Sequence, residues 1–371
     1  MKTFIYTIIF LIFMSSISYS VNRIYLSNID GTAPSVVIPP APTTVTEINS
    51  GSGVLSSDVG SLIGIVATGD NVKSSSDGIT WSAITSDPLS SGEDYRGIQL
   101  LDSGRILVLQ LASPCAVYRS DNSGGSWSST SYPEAAGSCG GLVGNTKGNL
   151  ICVSSTCYGA NTGATGRFYT STNSGETWSI APTTLYGGSP QVLYYDGSVF
   201  IGGGRGQISG CTAGSNSTPI RTYDGTAWYD YDTGCVSATY GYSLVSAVKF
   251  GSTYYVYGVN KLTNVVVGWY TSTDFTSWTF FTPSFSPSLT MVNESGRSVI
   301  SPNVDPPTVY FSVQTASAGA MRVYTSTDAV TFTNIFTGDS GAVVRPGNMT
   351  YDSTNNIIYF GTFSNKYYKI E

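Results

Sequence analysis

The side chains that could carry out acid–base chemistry in this sequence are carboxylates and tyrosines, because the chain contains no histidine. The missing imidazole excludes Ser-His-Asp and Cys-His mechanisms, and the metal sites that depend on histidine. A glycosidase needs only two carboxylates, so that reaction class stays open. Asp94, Glu93, Glu134 and Glu294 are the acidic residues best placed for it, but none lies in a recognisable catalytic motif. We therefore assign no catalytic residue.

Arginines and tyrosines could instead bind a ligand. Arg96, Arg297 and Arg345 occupy similar places along the chain's repeats, and guanidinium groups that converge would bind an anion. Tyrosine rings could stack on sugars. The alternatives are solvated or bridging arginines, and tyrosines that pack between strands. The predicted ligand-binding residues are Asp94, Tyr95, Arg96, Tyr186, Tyr240, Tyr242, Glu294, Arg297 and Arg345.

The composition excludes several partners and cofactors. The formal net charge is −6, which argues against a nucleic-acid backbone or an anionic membrane as partner. The glycine-rich run at residues 202–206 lacks the Lys-Ser/Thr pair and the helix of a phosphate-binding loop, so we interpret it as the end of a strand. The sequence also lacks an EF-hand calcium loop. We expect no cofactor and no metal.

The first twenty residues have the pattern of a secretory signal peptide. Lys2 precedes an apolar run at residues 4–14, and the serines at positions 18 and 20 predict cleavage before Val21. The alternative is a membrane anchor, but the run is shorter than the ~20 residues that a span needs. We expect a signal peptide at 1–20, an N-terminal segment with a Pro-rich connector at 21–50, and one folded domain at 51–371. The product should be secreted and extracellular.

A short sequence box repeats along the chain and must position the candidate residues. Each copy runs from Ser or Thr residues through an Asp or Asn to a closing aromatic residue, as in the run from Thr170 to Trp178. The Asp or Asn side chain can accept bonds from backbone N–H groups, so the box predicts a tight turn that leads into a strand. The last two copies lack the glycine of the others, so their turns should differ in detail. The six copies close on Trp81, Trp127, Trp178, Trp228, Trp278 and Phe332.

Two β-rich runs around a polar turn precede each box, as at residues 97–110 around Asp102-Ser103-Gly104. A hairpin, a third strand that ends in the box and a fourth strand make an antiparallel unit of about 50 residues, the size of a propeller blade. Seven such units predict an all-β, seven-bladed β-propeller, with six or eight blades as alternatives. The last unit lacks an outer strand, which either Val21–Ile29 or Thr43–Ile48 could supply.

The boxes resemble the Asp-box (BNR) repeats of sialidase-like β-propellers, over most of the mature chain. In that family the boxes are structural and lie opposite the ligand site, which implies no catalytic role for Ser120, Asn122 or Trp127. The three arginines are similar to the arginine triad of sialidases. However, the family's Arg-Ile-Pro motif has no match here, and the run Tyr95-Arg96-Gly97-Ile98 resembles it only distantly.

The cysteines are candidates for disulfide bonds if the chain is exported. Two pairs occupy matching loop positions, and the remaining two cysteines lie within one loop. Among the possible pairings, the repeat geometry favours Cys115–Cys139, Cys211–Cys235 and Cys152–Cys157. Three sequons, at Asn216, Asn293 and Asn348, are candidate glycosylation sites.

Together these features predict a secreted, non-catalytic β-propeller that acts as an extracellular recognition or adhesion module. The expected partner is a glycan or an extracellular protein, with no nucleic acid and no membrane span. Two alternatives stay open: a glycoside hydrolase of sialidase-like fold that uses carboxylates or tyrosine, and a structural coat or matrix component.

Overall fold

The structure is a computed structural model. Its chain divides into two compact units, Met1–Ile38 and Pro39–Glu371. The residues that it describes are 38–48, 54–58, 61–65, 72–77, 80–84, 95–110, 116–133, 150–161, 167–182, 189–205, 219–233, 242–260, 266–287, 289, 297–314, 320–338, 349–361 and 367–371. Within these ranges, every regular element is a β-strand. They contain no helix long and apolar enough to cross a membrane. The predicted signal peptide lies outside them.

The strands follow one another at short intervals, as the alternation of β-rich runs and polar turns predicts. In chain order the first thirteen are β1 Val45–Ile48, β2 Val54–Asp58, β3 Ser61–Ile65, β4 Val72–Ser75, β5 Ser82–Ala83, β6 Tyr95–Leu100, β7 Ile106–Gln110, β8 Ala116–Ser120, β9 Ser128–Ser131, β10 Leu150–Val153, β11 Thr156–Asn161, β12 Arg167–Ser171 and β13 Ser179–Ile180. The remaining strands are β14 Ser189–Tyr195, β15 Phe200–Arg205, β16 Pro219–Tyr223, β17 Trp228–Asp232, β18 Tyr242–Phe250, β19 Thr253–Asn260, β20 Val266–Ser272, β21 Thr279–Phe281, β22 Ser284–Ser286, β23 Arg297–Ile300, β24 Val309–Gln314, β25 Met321–Ser326, β26 Thr331–Thr337, β27 Thr350–Asp352, β28 Ile357–Gly361 and β29 Tyr367–Ile370.

Consecutive strands pair antiparallel in sets of four, and the fold is a β-propeller with four-stranded antiparallel blades. Three sheets are simple meanders, β2–β5, β6–β9 and β10–β13. The sheet after the eight-stranded one orders β23–β26 in the same way, and β22 adds to it in parallel beside β26. The last sheet has the order β1-β29-β28-β27, so the N-terminal strand β1 completes it.

The prediction of seven blades is wrong, and the alternative of six blades agrees with the structure. The described strands form six sheets instead of the seven that seven independent blades would give. The reason is that β14–β17 and β18–β21 belong to one eight-stranded sheet. Their junction is a single antiparallel pair between Arg205, the last residue of β15, and Ser243 in β18. Two sets of four strands are therefore hydrogen-bonded where the sequence pattern suggested a break.

The repeated boxes form the turns between the third and fourth strands of the sheets. In the turn between β8 and β9, Ser120 Oγ donates to Asn122 Oδ1 at 3.0 Å and accepts from the Gly124 N–H at 2.8 Å. Asn122 Oδ1 also accepts from the Ser126 N–H at 2.8 Å. Ser171 and Asn173 repeat this network in the next sheet. The polar residues of the repeat thus satisfy the turn's own backbone.

The two copies without glycine form shorter turns, as expected. The residue after the aspartate, Phe275 or Ala329, takes the left-handed conformation, with φ of 63° and 56°. Asp274 and Asp328 each accept two backbone N–H groups two and three residues further on. These copies need one left-handed residue, whereas Ser123 and Gly124 are both left-handed in the longer turn.

The core lies between neighbouring sheets and is rich in aromatic side chains. Tyr132 stacks on Tyr169 of the next sheet, with ring centroids 4.3 Å apart, and meets the edge of Trp178. Box glycines also pack against the preceding sheet. A Cβ added to Gly124 would lie 1.8 Å from Ile84 Cγ2, and one added to Gly175 would lie 3.0 Å from Leu107. The turn of one sheet is therefore fitted closely to the core of the sheet before it.

Candidate functional site

Most of the predicted ligand-binding residues lie outside the described part of the chain. Tyr95, Arg96, Tyr242 and Arg297 are described by their backbone, and each lies at the beginning of the first strand of a four-stranded set: β6, β18 or β23. The first residues of these strands lie at the end of the sheet away from the box turns. Asp94, Tyr186, Tyr240, Glu294 and Arg345, together with Glu93 and Glu134, lie outside the described residues.

Arg96 and Arg297 differ in their backbone setting. The pairing of β6 with β7 shifts register between Tyr95 and Gly97, so Arg96 is the extra residue of a β-bulge. Arg297 is instead regularly paired with Val313 in β24. The two arginines therefore begin similar strands but do not occupy equivalent positions in the ladder.

One disulfide bond lies in the described residues, between Cys152 and Cys157. The two cysteines are directly opposite each other in β10 and β11, across the turn at Ser154 and Ser155. The expectation that they lie within one loop is wrong, because the hairpin strands extend past both residues. Cys115, Cys139, Cys211 and Cys235 lie outside the described residues, and so do Asn216, Asn293 and Asn348.

The best-defined cluster of charged residues lies at the box-turn end of the sheets and is centred on Arg105. This residue directly precedes β7, and its Nε pairs with Asp121 in the box turn of the same sheet. Its Nη2 lies 3.1 Å from Glu176 Oε1, and its Nη1 donates to the carbonyl oxygen of Ser174 at 3.0 Å. Glu176 and Ser174 belong to the box turn of the next sheet. The guanidinium therefore connects two sheets and has its donors occupied by protein groups.

A second cluster connects the two halves of the eight-stranded sheet through Asp196. Its Oδ2 accepts from the hydroxyls of Tyr194 at 3.2 Å and Tyr254 at 3.4 Å, and Lys249 Nζ lies 3.7 Å away. Burial opposes the charge on Asp196, but the Val199 N–H and the Ser198 hydroxyl and N–H outweigh it and hold the pKa below its usual range. Burial also raises the pKa of Tyr194, so its hydroxyl remains a proton donor.

The aspartates of the box turns are held in the ionised form. The hydroxyl of Thr226 and the N–H groups of Ala227 and Thr226 hold the pKa of Asp224 well below its usual range. The same kind of bonds, from the Ser277 hydroxyl and N–H, lower the pKa of Asp274. A general acid requires a raised pKa, so these carboxylates serve as hydrogen-bond acceptors and not as acids. In the described ranges, no three Asp, Glu or Cys side chains are close enough together to hold a metal ion.

Sequence reasoning did not identify Arg105, Glu176, Asp196 or Lys249 as members of clusters. Part of the signal was present, because Arg105 begins the second run of one predicted hairpin, Asp196 lies in the polar turn of another, and Glu176 lies inside a repeated box. What the pattern could not supply is the contact between sheets. That contact depends on how far each turn is offset from the turn of its neighbour.

Comparisons with known proteins support the fold. No family model matches the chain, and no curated protein matches it. Among solved structures it is similar to YCF48 bound to D1 peptide, with 12% identity, a TM-score of 0.56, and coverage of 91% of this chain and 99% of the other. It is also similar to virginiamycin B lyase from Staphylococcus aureus, with 10% identity, a TM-score of 0.59, and coverage of 88% and 98%. A Niastella koreensis GH74 enzyme gives 14% identity and a TM-score of 0.53, over 88% of this chain and 53% of the enzyme.

These similarities define the class as the β-propellers. At identities of 10 to 14%, they establish the shared architecture and nothing about ligand or chemistry. The three neighbours carry out different tasks on one fold, since their descriptions name a bound peptide, a lyase and a GH74 enzyme.

Proposed function

We propose that this protein is a secreted, non-catalytic β-propeller that recognises an extracellular ligand, with a glycan as the first candidate and a protein segment as the second. The repeated turns are Asp-box turns in this proposal, and they fasten the sheets together. The ligand binds at the opposite end, where the first strands begin at Tyr95, Arg96, Tyr242 and Arg297.

The observation that carries the proposal is a difference between the two ends of the sheets: the described charged clusters at the box-turn end are already occupied by protein groups. At the box-turn end, Arg105 is saturated by Asp121, Glu176 and backbone carbonyls. Asp196 is likewise surrounded by donors from its own turn and from Tyr194. Groups so fully engaged have little capacity left for a ligand. Recognition is then left to the other end, where arginines and tyrosines begin the first strands.

The similar structures support a binding role for a chain of this architecture. YCF48 is described as bound to a peptide, and this chain covers 99% of that structure. The GH74 similarity keeps the glycoside hydrolase alternative in view. In that alternative Asp94 and Glu294 would be the first carboxylates to test.

A glycan array with the purified full chain tests the proposal. We expect binding to a restricted set of glycans, a weakening of at least tenfold in Arg96→Ala and Arg297→Ala, and no change in Arg119→Ala. The control residue, Arg119, lies at the box-turn end of β8, beside Asp121. A panel of fluorogenic glycosides provides the second measurement. Turnover that is lost in Asp94→Asn or Glu294→Gln would replace the proposal with the hydrolase alternative.

If the chain shows neither glycan binding nor turnover, the next candidates are protein partners and a structural role. Secretion is tested separately, by expressing the full chain in a eukaryotic cell and sequencing the N-terminus of the protein in the medium. We expect it to begin at Val21, and the glycans at Asn216, Asn293 and Asn348 to be removable by an N-glycosidase.

A further inference from the structure

The segment Pro39–Ile48, which we call the clasp, is attached to the rest of the sheet structure by a series of hydrogen bonds. Its second part, strand β1, pairs antiparallel with β29, with Val45 opposite Ile370 and Thr46 opposite Lys369. Just before β1, the N–H of Thr44 donates to the carbonyl of Glu371 at 2.8 Å, and the N–H of Glu371 donates back at 2.9 Å. This half of the clasp is thus an added strand at the edge of the last sheet.

The first half of the clasp contacts two sheets. Asp305 N–H donates to the carbonyl of Pro39 at 2.8 Å, and Asn356 Nδ2 donates to that of Pro40 at 2.9 Å. The hydroxyl of Tyr310, a fully buried residue in β24, donates to the carbonyl of Pro42 at 2.7 Å. The prolines have no N–H to satisfy, so the protein supplies donors to their carbonyls.

Among the clasp residues whose side chain burial is described, Pro42 and Val45 make the apolar contacts, and Val45 packs against the core cluster of the last sheet. Pro42 is buried and Val45 is half-buried, whereas Thr43, Thr44 and Thr46 are exposed. A net hydrogen bond contributes about 0.5–1.5 kcal/mol, so these bonds at the edge of one sheet can open without unfolding the cores between the sheets. When the clasp opens, the backbone groups of β29 that face β1 lose their partners and can accept another extended strand.

We propose that the clasp is exchangeable, and that the surface it vacates accepts the same segment from a second copy of this chain. The contacts already present in one chain define which segment fits this surface. Its three carbonyls accept from Asp305, Asn356 and Tyr310, and the strand that follows them pairs with β29. The same contacts would form between two chains, so exchange gives a symmetric dimer with two clasps crossed over.

The length of the connection between Ile48 and Val54 sets the balance between the closed monomer and the exchanged dimer. Residues 49–53 let the clasp bind its own chain at a high effective concentration, which favours the monomer. Shortening this connection prevents the clasp from reaching its own chain, while a partner's clasp can still bind. The proposal is independent of the ligand, because its surface lies at β29 and not at the start of β6 or β23.

The first experiment uses the full chain with residues 50–52 deleted. We expect a dimer by light scattering coupled to gel filtration, with a far-ultraviolet spectrum unchanged from the parent. The matched control replaces the same three residues by three serines, keeps the length, and should remain monomeric. Adding Thr46→Pro to the deletion should abolish the dimer, because proline removes the N–H that pairs with Lys369. A folded monomer of the deletion variant overturns the proposal.

The second experiment decides the matter if the deletion variant does not fold. A protease site is placed within residues 49–53 of the full chain. The folded protein is cleaved at this site and then mixed with a labelled peptide of residues 38–48. We expect the label to exchange into the cleaved chain, with the Thr46→Ala peptide binding and the Thr46→Pro peptide failing to bind. Tyr310→Phe should weaken the peptide roughly 2- to 10-fold. Unfolding on cleavage, or a folded chain that never takes up the peptide, overturns the proposal.

Discussion

Arg105 Nη1 donates to the carbonyl oxygen of Ser174 at 3.0 Å, so a side chain of one sheet holds the box turn of the next. The same guanidinium contacts Asp121 and Glu176, one carboxylate from each of the two turns. The planar, five-donor geometry of arginine suits this arrangement, and the single ammonium of lysine does not.

We therefore expect Arg105→Ala to lower the free energy of unfolding by about 1–3 kcal/mol, because it leaves acceptors of the cluster unpaired. Arg105→Lys should lose most of the same free energy for the same reason. Urea denaturation at low and high salt measures this. Arg119→Ala is the control and should change stability by less than about 0.5 kcal/mol, since its contact with the exposed Asp121 lies within one sheet. If Arg105→Lys were as stable as the parent, the planar, five-donor geometry of arginine would not be needed here.

Gly124 and Gly104 separate the effect of close packing from that of backbone conformation. Both have positive φ, 91° and 78°, but an added Cβ would meet Ile84 only at Gly124 and nothing within 4 Å at Gly104. Gly104→Ala should cost about 1 kcal/mol from the left-handed conformation alone. Gly124→Ala should cost clearly more, by roughly 1–3 kcal/mol, because the turn must move away from the preceding sheet. If the two variants lost the same free energy of unfolding in chemical denaturation, the contact between Gly124 and Ile84 would not restrict the turn.

Acid should destabilise the protein through its turn aspartates. The N–H groups of Thr331 and Val330 outweigh partial burial and lower the pKa of Asp328 to about 2, against an ordinary value of about 3.9. A depressed pKa contributes stability that is fully present above the ordinary value and is lost as the pH falls towards 2.

Asp328→Asn should still accept backbone N–H groups, because the Oδ1 atoms of Asn122 and Asn173 do so at the corresponding position of the longer turns. We expect its melting temperature to lie below that of the parent at pH 6 and the two to converge near pH 2. Thermal unfolding followed between pH 2 and 6 provides the check. A gap that stays constant over this range would show that the charge of Asp328 does not contribute.

Removing the Cys152–Cys157 bond should have a limited effect. The disulfide closes a sequence separation of 5 residues, so the loop-entropy model gives about 2 kcal/mol, less than the ~3 kcal/mol expected for a 24-residue loop. The hairpin also keeps its four backbone pairs from Leu150 to Val153. The double substitution Cys152→Ala and Cys157→Ala should therefore fold, with a small drop in the urea midpoint. Failure to fold would show that the bond organises the hairpin.

The sequence predicts the repeating architecture because turn chemistry is local. The serine, the Asn residue and the glycine of the second and third boxes are within a few residues of one another, and the same bonds to the backbone form in both copies. The hairpin across Asp102-Ser103-Gly104 follows from the same kind of rule, since the Gly104 N–H closes onto the carbonyl of Leu101.

Relations between sheets could not be predicted in this way. The pair Arg205–Ser243 joins two sets of strands only because their first and second strands approach at one end, and no residue type marks that approach. The contact of Arg105 with Glu176 spans 71 residues and depends on the offset between adjacent turns. The predicted site residues were chosen by repeat position, which does not reveal that Arg96 lies in a bulge.

Strand β22 covers part of a sheet edge that could otherwise pair with another chain. It pairs in parallel with the first three residues of β26, which at seven residues is much longer than the corresponding two-residue strands β5 and β13. The sequence of β26 is Thr-Phe-Thr-Asn-Ile-Phe-Thr, which combines aromatic and β-branched residues without a charge, and such segments nucleate fibrils when they are uncovered. Because β22 pairs with Thr331–Thr333, these three residues of the strand are not open to pairing with another chain.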